Sequence, residues 1–192
     1  MGPTVRMGGT MVRRLIAMLG VTVVAALALV PVAGAAGERA SGNFVDGTGA
    51  VIGQVQLEQQ ADNSVKIALT LKDSNVVKEG QHGIHFHAVG KCDGPDFTTA
   101  GGHYNPTSKM HGTKNPQGPH VGDLPNLPIG AATAAQSGYA ASLTTTMITL
   151  SAGPTSIFDG DGTALVIHAG PDDEMTDPAG NSGGRIACAV LT

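Results

Sequence analysis

Residues 82–123 have the sequence HGIHFHAVGKCDGPDFTTAGGHYNPTSKMHGTKNPQGPHVGD. Six of the chain's seven histidines lie in this stretch, and the seventh, His168, follows an apolar run far downstream. Histidine is the side chain that most often binds metals in proteins. Such a dense group of histidines indicates a metal site, and the rest of the chain must supply a fold that holds it.

The first part of this stretch has the pattern of a strand, and the second part has the pattern of a loop. Apolar and imidazole side chains alternate from Gly83 to His87 with a period of two, which predicts a strand. His85 and His87 would then share one face, roughly 7 Å apart along the chain. The segment from His103 to Asp123 has no apolar period. A loop of that length is uncommon in a compact domain unless it is functional, and a metal bound by its own side chains would order it.

Outward from this stretch, the chain has the pattern of an all-β protein. Apolar residues alternate with polar ones over residues 51–58 and again over 65–72, with Ala61-Asp62-Asn63 between them. This pattern predicts a hairpin with one buried face. Many short strands separated by Gly and Pro turns favour a sandwich or a flattened barrel. Further strands are predicted around Gly83–Ala88, Tyr139–Leu150, Thr163–His168 and Arg185–Leu191.

Length and composition limit the function classes. The chain has 192 residues, enough for one domain, and 41% hydrophobic content is enough for a core. The formal net charge is −4 and no basic run occurs, so nothing indicates a partner among nucleic acids.

The N-terminus has the pattern of an export signal. Arg13 and Arg14 precede an uncharged apolar run from Leu15 to about Val32, and small residues follow at positions 33–36. This pattern predicts a signal peptide over residues 1–36, with residues 1–10 as an upstream extension if Met11 is the true start. The alternative is a membrane anchor that is retained, because the run is long enough to span. Removal of the segment takes away three Arg and no acid, which brings the net charge to about −7.

Several motifs outside the first histidine pair carry a family resemblance. They are GGHYNP (residues 101–106), HVGDLPNL (120–127), LVIH (165–168) and GGRIAC (183–188). In order and spacing, these motifs resemble those of the copper/zinc superoxide dismutases of the secreted bacterial type. The resemblance covers the chain after about residue 40, so we expect residues 37–192 to form that domain. It implies an eight-stranded Greek-key sandwich, or flattened barrel, with long metal-binding and charge-steering loops.

The resemblance also implies two metal cofactors, copper and zinc, that share one ligand. An all-imidazole set suits copper, and three His with one Asp suit a structural zinc. His103 is expected to belong to both sets as a bridge. The implied copper ligands are His85, His87, His103 and His168, and the implied zinc ligands are His103, His111, His120 and Asp123.

Three further side chains have roles implied by the resemblance. Asp172 is expected to join ligands of the two metals from outside, and His82 is expected to form structural hydrogen bonds rather than to bind metal. Arg185 is expected to guide the anionic substrate to the copper, for which a planar, permanently charged guanidinium is suited. The chain departs from the family in one respect, because the steering loop over residues 169–184 contains no Lys. Steering would then depend on Arg185 and on Lys91, Lys109 or Lys114.

The two cysteines, Cys92 and Cys188, are the only ones in the chain. In an exported chain, an even pair is typical of a disulfide, and the resemblance implies the same bridge. Two buried free thiols are the alternative.

The function implied by the resemblance is the dismutation of superoxide to oxygen and hydrogen peroxide. Copper would cycle between two oxidation states, the structural zinc would be bridged through His103, and His103 and Arg185 would act in catalysis. We expect an exported protein (secreted, cell-envelope or periplasmic), with no membrane partner after signal removal, and either monomer or homodimer is open. The rival hypotheses are a copper-only dismutase, a non-catalytic metal-binding or copper-delivery protein on the same fold, and a plain structural sandwich.

Overall fold

Antiparallel strands form nearly all of the regular structure. The structure is a computed structural model, and it describes residues 1–2, 37–72, 75–130 and 138–192. The residues from 37 onward belong to the unit Val32–Thr192, one of two into which the chain divides. The predicted signal peptide lies outside the described residues, apart from its first two. The strands are β1 Arg39–Val45, β2 Val51–Gln59, β3 Val65–Leu71, β4 Gly80–His82, β5 Ile84–His87, β6 Leu127–Ile129, β7 Tyr139–Thr145, β8 Ala164–His168 and β9 Arg185–Val190.

The β2–β3 hairpin confirms the alternating pattern of the sequence. The strands pair from Gly53 opposite Leu71 to Gln59 opposite Val65. Every second side chain of β3, from Val65 to Leu71, is at most 3% exposed, and the residues between them are exposed. In the turn, Asp62 Oδ1 accepts the backbone N–H of Ser64 at 3.0 Å. The hairpin therefore has one buried face and one face toward solvent.

The strands form one curled sheet and one small two-stranded sheet. The order in the large sheet is β5-β8-β9-β1-β2-β3-β7, and β4 pairs with β6. The prediction of an all-β fold is confirmed. The run from β4 to β5 changes its partner at Gly83, whose N–H donates to Gly170 O and whose carbonyl accepts the N–H of His168, both at 2.8 Å. Taken as one strand, this run brings the described strands to the eight that the resemblance implies.

Three strands were not predicted from the sequence, and one predicted strand is shorter than expected. β1, β4 and β6 were not predicted, because β4 and β6 have three residues each and β1 buries only Ala40 and Phe44. The predicted strand Tyr139–Leu150 ends at Thr145, whose Oγ1 accepts the N–H of Met147 at 3.1 Å. This side-chain bond offers the backbone an alternative to the sheet ladder.

The inner face of the curled sheet contains the main hydrophobic core. Burial of apolar surface of this extent provides the dominant stabilising contribution. A second, smaller cluster lies on the other side of β8 and β9, under the loop that follows β5. The largest fully buried side chains of the main core are Phe44, Phe86, Leu57, Ile67, Leu69, Ile84, Leu124, Leu127, Ile148, Ile157 and Leu165.

Two long loops cover the outer face of β5 and β8. One covers residues 88–126, between β5 and β6, and the other covers 169–184, between β8 and β9. All four residues of β5 and all five of β8 are buried. The outer face, on which the histidines of β5 lie, is therefore shielded from solvent. Within the part of the chain that the structure describes, no helix has the length and hydrophobicity needed to cross a bilayer.

Candidate metal centre

The alternation of β5 directs its two faces to different surroundings. Ile84 and Phe86 lie in the main core. Successive side chains of a strand point to opposite faces, so His85 and His87 point outward, on the side of the covering loops. An isolated bridge pairs His87 with His103 of the first long loop. The strand pattern and the loop together bring the separated histidines to one place.

Four histidine rings converge on one point of this outer face. Their potential ligand atoms lie within 4.8 Å of one another. Each ring has one buried nitrogen with no hydrogen-bond partner among the described residues. Buried polar atoms in native structures are almost always satisfied, so four convergent exceptions fit a metal ion. The unpartnered atoms are His85 Nδ1, His87 Nε2, His103 Nε2 and His168 Nε2.

The second nitrogen of each of these rings is held by the protein. His85 Nε2 lies 2.8 Å from Asp172 Oδ2, and His103 Nδ1 lies 2.9 Å from Asp123 Oδ1. His87 Nδ1 and His168 Nδ1 donate to backbone carbonyls at 3.0 and 3.1 Å. These bonds fix the tautomers of His87 and His168, since a carbonyl requires N–H on the facing nitrogen and leaves the lone pair on Nε2. The rings are thus oriented as a set of nitrogen donors.

A second group of ligand atoms surrounds Asp123. Its Oδ1 lies 2.9 Å from His103 Nδ1, 3.1 Å from His111 Nδ1 and 3.3 Å from His120 Nδ1. Its Oδ2 accepts the backbone N–H groups of Gly112 and His120 at 2.9 and 3.0 Å. Three imidazole nitrogens and one carboxylate oxygen form the donor set of a closed tetrahedral zinc site. His103 contributes one nitrogen to each of the two groups.

Asp172 connects the two groups from outside. Its two oxygens lie 2.8 Å from His85 Nε2 and 3.0 Å from His111 Nε2. Asn126 holds the backbone of Asp172 by two hydrogen bonds, at 2.7 and 2.8 Å. Gly180 has φ of +60°, and a Cβ at that position would lie 1.6 Å from Asp172 Oδ1. Asp172 was predicted from the sequence, whereas Asn126 and Gly180 were not, since no local period marks either residue.

Burial lowers the pKa of three histidines, whereas neighbouring carboxylates raise that of a fourth. Desolvation lowers the pKa of His87 to about 2, that of His168 to about 3 and that of His103 to about 4, although Asp123 opposes the shift of His103. Burial also opposes the charged form of His111, but Asp123 and Asp172 outweigh it and raise its pKa to about 9. Their own pKa values lie below the usual range, because hydrogen bonds from the histidines outweigh desolvation. Three rings are therefore neutral at neutral pH, as metal ligation requires.

His82 lies beside the histidine groups without belonging to either. Its Nδ1 lies 2.7 Å from His168 O, and its Nε2 lies 2.9 Å from Lys78 O. The ring is 4% exposed. It links the segment before β4 to the end of β8, which agrees with the expected structural role.

Arg185 begins β9, directly opposite His168 in the sheet. Its Nη1 donates to Phe97 O and its Nη2 to Gly101 O, both at 2.6 Å. Gly101 O also accepts the Nδ1–H of His87. Partial burial lowers the pKa of the guanidinium. Among the lysines named as alternatives, Lys114 forms an ion pair with Glu174 at 3.3 Å.

A disulfide joins Cys92 to Cys188, with the Cα atoms 5.7 Å apart. The predicted pairing is confirmed, and the alternative of two free thiols is wrong. Cys188 lies in β9 and Cys92 in the loop that also carries Phe97 and Gly101. The bond therefore ties the loop under which the small hydrophobic cluster lies to the sheet.

Comparisons with known proteins agree with the fold. The family model for copper/zinc superoxide dismutase matches residues 51–191. The Cu-Zn superoxide dismutase 1 of Aquifex aeolicus is 42% identical over 150 residues, which are 78% of this chain and 85% of that protein. The superoxide dismutase-like protein YojM of Bacillus subtilis is 37% identical over 77% of this chain and 73% of its own length. A crystal structure of a SOD-like protein from Bacillus subtilis aligns with a TM-score of 0.72 and 34% identity, covering 79% of this chain and 97% of that one.

The chain belongs to the copper/zinc superoxide dismutase family. Its enzyme class, its cofactors copper and zinc, and its substrate superoxide follow from that membership. The donor chemistry of the two groups fits the two metals. The predicted family, fold class and cofactors are thereby confirmed.

Proposed function

We propose that the chain dismutates superoxide at a copper held by four histidines, next to a zinc held by a set that shares His103. The copper ligands would be His85, His87, His103 and His168, and the zinc ligands would be His103, His111, His120 and Asp123. The observation that carries this proposal is the convergence of four buried imidazole nitrogens that have no partner among the described residues. The family relationship supports it independently.

The metals and the side chains around them would have different roles in the reaction. When bound, copper supplies the one-electron exchange that oxidises one superoxide and reduces another, and zinc, which has no redox chemistry, stabilises the loop. His103 Nε2 has no partner among the described residues, so, when it is not bound to copper, it is the atom at which the ring would hold a proton for the reduced substrate. Burial of the rings excludes water from the donors.

Arg185 is proposed to attract and orient the anionic substrate. The two carbonyls that bind its guanidinium belong to the loop that also orients His87. A fixed guanidinium offers a small anion a site at low cost in side-chain entropy. Arg185 would thus lie beside the copper set with a defined orientation.

Export is the proposed location. A disulfide persists in oxidising compartments and is rare in the cytosol, and Cys92 and Cys188 form one. The N-terminal pattern of two Arg, an apolar run and small residues supports the same proposal. Cleavage near residue 36 would release residues 37–192 as the mature domain.

A non-catalytic metal-binding protein on the same fold is the second candidate. It is kept because one relative carries the name of a dismutase-like protein. Two observations favour the dismutase over this candidate: four histidine nitrogens have no partner among the described residues, and a guanidinium lies beside them.

Metal analysis combined with a dismutase assay tests the proposal. Protein reconstituted with both metals should contain about one equivalent of each and should be active. His168→Ala should lose copper and activity and keep zinc, and His120→Ala should lose zinc first. Full copper without activity would favour the non-catalytic candidate, and full copper with no zinc would contradict the two-metal assignment.

A further inference from the structure

Asp177 is a carboxylate of the second long loop that faces the zinc group and that the proposed mechanism does not use. Its Oδ1 accepts the backbone N–H of His111 at 2.7 Å. The same oxygen lies 3.7 Å from His120 Nε2. The side chain of His120 is 8% exposed and that of Asp177 is 37% exposed. One carboxylate oxygen is therefore close to two of the three histidines around Asp123.

The Nε2 atoms of these three histidines show why the position of Asp177 matters. All three rings direct Nδ1 toward Asp123 Oδ1. His103 Nε2 faces the copper group, and His111 Nε2 binds Asp172. A ring that ligates through Nδ1 carries its proton on Nε2, which then needs an acceptor. For His120, Asp177 is in that position, at a distance that one water or a small side-chain rotation can bridge.

A neighbouring acid in the same loop does not have this relationship. Asp173 accepts bonds from the backbone N–H groups of Met175 and Thr176 and from Asn181 Nδ2. Its contacts stay within its own loop, so it stabilises that loop alone. Asp177 instead reaches across to the loop that carries His111 and His120.

We propose that Asp177 is a positioning residue for zinc, which fixes the backbone of His111 and orients the ring of His120 from outside. The proposal rests on the zinc set named above. Asp177 faces Nε2 of His120 as Asp172 faces Nε2 of His111, although at 3.7 Å rather than 3.0 Å, and its charge adds a favourable interaction with a cation bound by the set. Its primary effect is on zinc, because its two contacts are to His111 and His120, which belong to the zinc set alone.

Zinc affinity in matched variants tests this role. Asp177→Ala should weaken zinc binding by roughly 10- to 100-fold, which is the range for loss of a hydrogen-bond partner of a metal-binding histidine. Asp177→Asn keeps an oxygen for the His111 N–H but loses the charge facing His120, so its zinc dissociation constant should lie between that of Asp177→Ala and that of the parent. Asp173→Ala and Asp173→Asn, which remove the same charge nearby, are the controls. Dissociation constants come from chelator competition on the full protein, with copper content measured in parallel.

A spectroscopic measurement separates positioning from general stability. Co²⁺ in place of zinc should show a shifted visible spectrum in both Asp177 variants and the parent spectrum in both Asp173 variants. Equal zinc dissociation constants and equal Co²⁺ spectra in the Asp177 variants and the parent would overturn the role of Asp177 alone. A parent that takes up no zinc, or a His120→Ala variant that keeps it, would overturn the zinc set and this role with it.

Discussion

Single residues of the metal centre serve several partners at once. His103 directs Nδ1 to Asp123 and contributes Nε2 to the four-histidine group proposed for copper. Asp123 uses one oxygen for three rings and the other for two backbone N–H groups. Because each of these groups touches ligands of one or both sets, a substitution at one position disturbs several rings. This sharing explains how a small number of side chains could bind both of the proposed metals.

Arg185 is the residue whose charge we expect to control the encounter with superoxide. The net charge is −4, and Arg185 is the only cation in the sequence after Lys114. Arg185→Ala should lower kcat/KM about ten-fold or more, because a focused local field raises on-rates by that order. Arg185→Glu should lower it further, since repulsion is added. Rates are measured by pulse radiolysis, with copper content determined on the same samples.

The control and the salt dependence make this prediction specific. Arg39→Ala removes a cation that is 74% exposed and paired with Glu58, so it should leave kcat/KM unchanged. Added salt should slow the parent, because screening shortens the field to about 10 Å at 0.1 M, and should slow Arg185→Glu less. An Arg185→Glu enzyme with full copper and full kcat/KM would contradict the role of Arg185.

At the scale of elements, the two long loops are attached to each other and to the sheet. The first loop is tied to β9 through the disulfide and through Arg185. The second loop is tied to the first through Asp172, Glu174 and Asp177. Gly112, with φ of +105°, allows the loops to approach, because a Cβ there would lie 2.2 Å from Glu174 O. The metal centre thus depends on loop attachment as much as on strand geometry.

Removal of the disulfide should weaken both stability and metal binding. The bond closes a loop with a sequence separation of 96, for which the chain-entropy model gives a loss of up to about 4–5 kcal/mol in the free energy of unfolding. Cys188→Ser should therefore lower the thermal midpoint. It should also weaken zinc binding, because the tethered loop leads to His103. Calorimetry and chelator competition measure the two effects.

The two cysteines provide their own control. Cys92→Ser and the double variant should match Cys188→Ser, since each removes the same bond. A Cys188→Ser protein with an unchanged thermal midpoint and zinc dissociation constant would contradict the tethering role.

At the scale of the whole molecule, the buried histidines couple folding to pH. His87, His103 and His168 stay neutral in the folded protein well below the unfolded value of about 6.5. Between pH 6.5 and about 4 the unfolded state binds more protons, so the free energy of unfolding falls as pH falls. His111 behaves in the opposite way, because its pKa is raised to about 9. Its contribution is fully present below pH 6.5 and is lost as pH rises toward 9.

We therefore expect the metal-free protein to be most stable near pH 6.5. Urea unfolding of chelator-treated protein from pH 4 to pH 9 should give a midpoint that declines on both sides. Each proton difference changes the free energy of unfolding by up to about 1.4 kcal/mol per pH unit. His111→Gln should remove the alkaline decline and keep the acidic one. A midpoint that is flat over this range would contradict the assigned titrations.

The elements with a strong local period and the types of donor side chains could be predicted from the sequence alone. The alternation in residues 65–71 predicted which side chains are buried, because a strand has only two faces. The alternation around His85 and His87 predicted their shared face for the same reason. Two cysteines in a chain with an export pattern predicted one bond. These inferences need only neighbours in the chain.

The contacts between segments that are distant in sequence could not be predicted in this way, because they depend on the folded structure. No local sequence pattern shows which carbonyls bind Arg185 or why position 180 excludes a Cβ. The same holds for the contact between Asp177 and His111. The strand β1 was likewise missed, because its pairing with β2 and β9 compensates for a weak pattern. Such contacts arise only when the curled sheet, the disulfide and the hydrogen bonds between the loops have fixed both loops. Local periodicity specifies faces, whereas the positions of loop atoms to within a hydrogen bond depend on the closed fold.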